Sequence, residues 1–502
     1  MKKIIKHKNI ILFISFIIIT IIGFLCHEIW EDEAQEYLII KNLDLIGIFK
    51  NAYLEGHPVL YYYILYPFIK VGFGPRIVNI ISLIFMYIGV YIIIFKLKIN
   101  DLLKILFITH YSVIYQYSLI GRSYSLVFLL ILLITYYYKE RDERSILYSV
   151  LLGLLLNTHL LAVPFSIILF IFTYIDKIKN KKLNKKDYIG IITYLLFCIL
   201  LFMQFYKLIT VSNGMSLSKD NLLLSFLGVF FGAPLFIFNN SHPFLTVFGY
   251  IFFFYTFYIF YKSDKKIFLI ELLNYIIFVL LYSKISGLFF YTHRLNFYFF
   301  FLIFGLSNIN YKYNRKEYIL IILVIITGLI MDIRSYCLEI NYKYSDGLSA
   351  SKYIRNNINK ENTIYTVSDR EEDVLVLPVI LYSDNYKFYN LNSNKYYKYV
   401  IWNKEREKKL DYKNICKELN KNNKSYLLLT KNYENKEKLL NKLSKDYKVK
   451  VLYTSDKKSI TKESYILYEI IWKNKIKCVK NASLLQMQHS KIKYYVILVK
   501  WR

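Results

Sequence analysis

The strongest constraint on this chain is a recurrence. Apolar runs of about twenty residues are delimited, one after another, by short clusters of lysine and arginine. A run of that length crosses the hydrocarbon layer of a bilayer as a helix, about 20 residues at 1.5 Å each. The first run covers residues 9–25, behind the opening MKKIIKHK. It has the layout of a secretory leader, but no small-residue cleavage site follows. It is therefore expected to remain as a first span with its N-terminus inside.

Composition agrees with a polytopic α-helical membrane protein. Of 502 residues, 56% are hydrophobic and 19% aromatic, above the roughly 45–50% of a soluble domain. An ordinary soluble enzyme is excluded, and 7 Pro and 17 Gly exclude a fibrous or disordered chain. The formal charge of +30 accompanies a chain dominated throughout by Lys, Ile, Asn and Tyr, as an AT-rich genome produces. It points to anionic lipid headgroups as partners rather than to nucleic acid. The five cysteines, Cys26, Cys198, Cys337, Cys416 and Cys478, form no CxxC pair, so neither a zinc ribbon nor a disulfide scaffold is indicated.

Orientation follows from the basic clusters. Lys96/Lys98/Lys104, Lys139/Arg141/Arg144, Lys177 to Lys186, Lys262/Lys265/Lys266 and Lys312/Arg315/Lys316 all face the cytoplasm by the positive-inside rule. About two spans separate each cluster from the next, which is self-consistent. Two apolar stretches fit poorly as spans. Residues 59–71 are too short to cross, and residues 221–238 carry Gly228, Gly232 and Pro234. Both are read as interfacial or re-entrant helices on the outer face. The expectation is about eleven spans over residues 1–333, with a first outer loop at 26–75 that carries juxtamembrane helices. Counting 221–238 as crossing leads to thirteen. Residues 334–502 become polar, with short apolar runs TIYTV (363–367), VLVLPVILY (374–382), SYLLLT (425–430) and KVKVLYT (448–454) between helix-like segments. That alternation predicts a small C-terminal extracytoplasmic α/β domain. The last thirty residues show no pattern.

This orientation gathers the unusual polar residues of the membrane half at the outer side: Asp32, Glu33, Glu36, His57, Arg122, His159, His293 and Arg294. Ionisable groups at membrane depth are costly and mark function. Taken singly, Arg122 is explained equally well as a snorkelling anchor, and His159 as a packing histidine. The first outer loop is the richest segment, with Glu28, Glu31, Asp32, Glu33 and Glu36 directly after the first span. Such a loop end is either a solvated acidic turn or a source of carboxylates for proton transfer or for a divalent cation. Pro58 fixes the start of the aromatic helix and leaves His57 just ahead of it.

The order of these motifs resembles the GT-C glycosyltransferases of the protein O-mannosyltransferase and bacterial lipid A aminoarabinose transferase type (glycosyltransferase family 39-like). The matching positions are Asp32-Glu33 after the first span, His57-Pro58-Val59-Leu60-Tyr61-Tyr62, and Arg76 at the second span. A further match is YQYSLIGRSYSLVFLLIL (115–132), with Tyr117, Arg122 and Tyr124 at the marked places. NTHLLAVPF (157–165) and YTHRLNFYFF (291–300) match more weakly. The usual H-P-P-L reads H-P-V-L here, and Leu295 stands where Tyr is common.

The resemblance implies a plasma-membrane enzyme with its site on the extracytoplasmic face. It implies transfer of a sugar, with inversion, from a polyprenyl-phosphate donor to a lipid, glycan or protein acceptor. On that reading Asp32 is the base, and Glu33 supports it or joins it in holding a divalent metal. Arg122, Arg294 and His57 bind the donor phosphate. Tyr61, Tyr124, His159 and His293 line the sugar and acceptor pocket. Two other classes share the span count. A transporter or flippase is expected to carry inverted repeats and midplane charges, and the chain shows neither. A polyprenyl-linked glycan polymerase or ligase is expected to carry a later Arg- and His-rich loop, but residues 207–243 hold only Lys207, Lys219, Asp220 and His242.

Overall fold

The computed structural model describes residues 2–211, 243–285, 297–367, 372–400, 412–419, 424–456, 459–461 and 463–473. The chain divides into two compact units, Met1–Ser345 with Ser459–Thr461, and Asp346–Lys458 with Lys462–Arg502. The first is helical. Among its described residues five segments are long and apolar enough to cross a membrane: His7–Cys26, Ile77–Lys96, Leu160–Lys179, Lys185–Tyr206 and Arg315–Leu338. Ser145–Leu156 and Tyr298–Asn308 are shorter apolar helices. Residues 221–238, expected as an interfacial helix, lie outside the described residues. The division expected after residue 333 falls inside the helix Arg315–Asn341. Polar residues enter its last turns without ending it, because no Pro or Gly interrupts them.

Helix α1 spans Lys2–Cys26. Three short helices follow before the next span: α2 (Glu31–Asn42), α3 (Leu45–Glu55) and α4 (Leu60–Val71). Glu31, Asp32 and Glu33 fill the first turn of α2, where carboxylates offset the positive end of the helix dipole. The Asp44 side chain accepts from the Gly47 amide at 2.7 Å and caps α3. Gly56, at φ 70°, ends that helix in the left-handed conformation that a Cβ disfavours. α4 is 12 residues long, about 18 Å at 1.5 Å per residue, too short to span a bilayer. Its buried residues Tyr61, Tyr62, Leu65 and Ile69 form one stripe, the pattern of a helix lying on an apolar surface.

α5 (Ile77–Tyr91) begins the second long apolar segment. α6 (Asp101–Ile108) leads into a π-helical turn at Ser112–Gln116 and the single turn α7 (Tyr117–Leu119). The chain then leaves helical geometry through Ile120–Ser123 before α8 (Tyr124–Tyr137). Such π turns recur at functional sites. The break holds Gly121 against α5. A Cβ there would lie 2.9 Å from the Asn79 nitrogen and 2.9 Å from the Val78 carbonyl carbon. α9 (Ser145–Leu156), α10 (Val163–Lys179) and α11 (Lys185–Val211) complete the helices used below.

The second unit is built on a six-stranded sheet in the order β3-β2-β1-β4-β6-β5. The strands are β1 (Thr363–Thr366), β2 (Lys387–Asn390), β3 (Lys395–Tyr396), β4 (Lys424–Thr430), β5 (Tyr447–Thr454) and β6 (Tyr465–Trp472). β1 pairs parallel with β2 and β4, and the remaining pairs are antiparallel. Tyr365, Leu427, Leu429, Ile415, Leu443 and Ile470 belong to its apolar core. The run 374–382, read from sequence as a strand, is instead two short helices, Glu372–Leu375 and Leu377–Tyr382. The reason is Pro378, which has no amide to give a central strand but suits the first turn of a helix.

The backbone contact at residue 121 makes a simple prediction. Gly121→Ala has no room without shifting α5, and overpacking of this kind costs about 1–3 kcal/mol. The variant in detergent is expected to show a lowered thermal midpoint. A midpoint equal to that of the unsubstituted protein would show that the break is slack.

Candidate active site

The densest polar centre among the described membrane-half residues lies where α1 ends, α2 and α5 begin, and the break before α8 returns. Its anchor is Glu33, which is 0% exposed. One carboxylate oxygen accepts from the Asn79 amide nitrogen at 2.6 Å and from the Gly121 backbone N–H. The other accepts from His27 Nε2 at 3.1 Å and from the Trp30 backbone N–H at 3.2 Å. Glu33 stands at the third position of α2, where a glutamate naturally reaches back to the helix start. The close approach of Gly121 to α5 brings its amide within range. Asn79 Nδ2 also donates to the Leu119 carbonyl at 2.8 Å. Nearby, Arg76 donates to the Phe24 and His27 carbonyls at 2.7 and 3.0 Å and so caps the end of α1.

Arg122 lies beside this anchor and is 8% exposed. Its carbonyl accepts from Ser125 Oγ at 3.2 Å and Ser82 Oγ at 3.4 Å. Its Nη1 donates to the Asp32 backbone carbonyl at 2.9 Å, and its Nη2 lies 2.7 Å from His57 Nε2. A guanidinium only donates, so His57 accepts at Nε2 and carries its proton on Nδ1. The Asp32 carboxylate, 35% exposed, is 3.9 Å from Nη2. On the other side Glu36 Oε2 is 4.0 Å from Nε. Burial works against the charge of Arg122, but the neighbouring acidic side chains, Asp32 foremost, more than offset it and hold its proton firmly.

Burial pushes the Glu36 carboxyl up to about 8, against the pull of Arg122 and with Asp32, Glu33 and Glu55 adding to the rise. The three acids at the start of α2 therefore have different surroundings. Glu33 is tied by four donors, Asp32 is open to solvent, and Glu36 is buried with Oε2 unpartnered among the described residues.

The expected pocket residues are partly assembled here. The His57 and His159 rings lie 5.3 Å apart, and His159 is 5.2 Å from Tyr124 and 5.0 Å from Phe297. His159 Nδ1 accepts from the Leu161 amide at 3.1 Å, which orients the ring. Tyr61 does not join this wall. It is 0% exposed, and its hydroxyl lies 2.7 Å from Ser82 Oγ and 3.2 Å from the Val78 carbonyl. Through Ser82 it braces the Arg122 backbone from below. His293 and Arg294 lie outside the described residues.

The carboxylate pair does not fit a metal. Each oxygen of Glu33 already accepts two hydrogen bonds, which leaves only Asp32 as a donor. Among the described residues no group of three or more His, Cys, Asp or Glu is placed to hold an ion. Sequence reading named Glu36 only as one of the loop acids, without a role of its own, and passed over Asn79 and Gln204. Glu36 was detectable as the residue one helical turn beyond Asp32. Asn79 and Gln204 were detectable as single amides inside otherwise apolar runs. Gln204 Oε1 accepts from the Val59 amide at 2.9 Å, and its Nε2 donates to Asn157 Oδ1 at 3.0 Å. This fixes the turn that carries His57.

Removing the anchor should act on the fold before it acts on chemistry. Glu33→Ala leaves four donors without their acceptor, and hydrogen bonds to a charged group contribute about 1.5–3 kcal/mol each. The expected result is a large loss of folded protein in size-exclusion profiles. A monodisperse, stable Glu33→Ala protein would remove this structural role.

No protein-family model and no curated protein matches the chain. Solved structures do. ArnT from Cupriavidus metallidurans in the apo state superposes with a TM-score of 0.56 at 10% identity, covering 92% of this chain and 98% of that one. The same protein bound to undecaprenyl phosphate gives 0.50 at 12% identity, covering 92% and 97%. Across nearly its whole length, this chain has the fold of ArnT.

Proposed function

We propose that the chain is a multi-pass membrane glycosyltransferase of GT-C type. It moves a sugar from a polyprenyl-phosphate carrier to an acceptor hydroxyl at the outer face of the plasma membrane, through about eleven spans. One observation carries the reading. A buried, permanently charged guanidinium lies within 4 Å of an open carboxylate, Asp32, and within hydrogen-bond distance of His57. The fold shared with ArnT, which has been crystallised with undecaprenyl phosphate, supports the lipid donor.

The chemistry follows from charge development. As the bond between the anomeric carbon and the phosphate oxygen breaks, negative charge accumulates on the leaving phosphate. Arg122 is the cation placed to stabilise it, with His57 holding the guanidinium plane. The acceptor oxygen attacks the opposite face of the anomeric carbon, which inverts it. Its proton passes to Asp32, the acidic side chain here with open access. Tyr124 and His159 form the adjacent aromatic wall against which a sugar ring can pack. The acceptor proton ends on Asp32 and the bonding electrons end on the phosphate, so no further reactant is required.

Asp32→Asn keeps shape and removes the base. Transfer from a polyprenyl-phosphate sugar by the purified variant should fall about 10²–10⁴-fold in kcat, the usual contribution of general base catalysis. Donor affinity should change little, and near-normal turnover would reject Asp32 as the base. Arg122→Lys should instead weaken donor binding about tenfold or more, since a point charge cannot reproduce the two-sided fork; unchanged donor affinity would reject the phosphate role. A reporter fused after Lys186 should be cytoplasmic and one after Tyr342 external. The reverse result would place the site on the wrong side of the membrane.

A further inference from the structure

Arg122 has two carboxyl neighbours but gives its short hydrogen bonds to neutral acceptors, a backbone carbonyl and an imidazole. Its two carboxyl neighbours stand farther off, at 3.9 and 4.0 Å. Of the two, Asp32 is open to solvent and Glu36 is the buried one. It is 2% exposed, stands one turn below Asp32 on the same face of α2, and has Oε2 4.0 Å from Arg122 Nε with no hydrogen-bond partner among the described residues. We propose that Glu36 is a positioning residue that works as an uncharged carboxyl, leaving the Arg122 cation available to the donor phosphate, and that its ionisation withdraws that cation. The inference rests on the reading of Arg122 as the phosphate-binding group.

The surroundings of Glu36 favour the uncharged form. From its own helix it faces Asp32 and Glu33, from α3 Glu55, from α4 Tyr61 and Tyr62, and from the break before α8 Arg122. Only Arg122 stabilises the carboxylate. Glu55 is itself held by the Gln35 amide at 3.1 Å. Tyr61 and Tyr62 are buried and kept well above the usual phenol range by desolvation first and by Glu36 second, so neither contributes a proton near neutrality. With the carboxyl at about 8, Glu36 is protonated at pH 7 and ionised at pH 9. Above 8, a buried anion 4.0 Å from Nε competes with the phosphate for the same guanidinium.

The test uses undecaprenyl phosphate as probe and the purified full chain in nanodiscs. A phosphate monoester loses its second proton near pH 6 and the guanidinium stays charged, so neither changes between pH 7 and 9. Wild-type affinity is expected to fall about tenfold across that window, one proton's worth per site. In Glu36→Gln the two pH values should agree within about twofold. In parallel, the infrared difference spectrum between pH 7 and pH 9 should show a protonated-carboxyl band lost at the higher pH, and that difference band should be missing from the variant. Tight binding with a flat wild-type profile, or an equal fall in Glu36→Gln, would overturn the inference alone. No binding at any pH with the infrared band intact would defeat the phosphate reading and the inference with it. If Glu36→Gln does not fold, the wild-type titration and its infrared band decide.

Discussion

Everything around the candidate site depends on one buried carboxylate. Glu33 draws four donors from four stretches of chain: the end of α1, the start of α2, the start of α5 and the break at Gly121. A buried charge without such donors would cost several kcal/mol. The same demand fixes the arrangement, because each oxygen takes its donors from separate segments. Arg122 is placed as a consequence, since its backbone follows directly from the Gly121 amide that Glu33 holds.

The acidic turn shows how burial separates chemically similar groups. Asp32, Glu33 and Glu36 sit within a turn and a half of one helix, yet they differ in what surrounds them. Glu33 meets donors, Asp32 meets solvent, and Glu36 is buried near other acids and two tyrosines, with a cation just beyond hydrogen-bond range. A buried carboxyl raised by desolvation beside a specific charge partner, as Glu36 is beside Arg122, is a usual mark of a functional site. Here one arginine faces two of the three acids and an imidazole.

Much of this was legible in the sequence, for definite reasons. Apolar run length and the lysine clusters reveal a polytopic helical chain because a bilayer imposes one length and one charge bias. The motifs Asp32-Glu33, His57-Pro58 and Arg122 lie on distant segments that come within 4 Å of one another in the structure, and the fold resemblance agrees with the structural comparison. What sequence could not supply is partnership. Nothing in the string distinguishes Glu33 as an internal tie from Asp32 as an open group, because the difference lies in Asn79 and Gly121, far along the chain. Tyr61 looked like a pocket residue from its neighbours, but helix phase turns it toward Ser82 and Val78. In the second unit, Pro378 overrode an apolar run that otherwise reads as a strand.

The link from Gln204 to the Val59 amide ties two quite different parts of the protein. Gln204 sits near the end of α11, one of the long apolar segments, and Val59 follows the turn that carries His57. Through a single amide, the far end of an apolar helix and the loop bearing an imidazole share one anchorage, so neither can be displaced without loading the other.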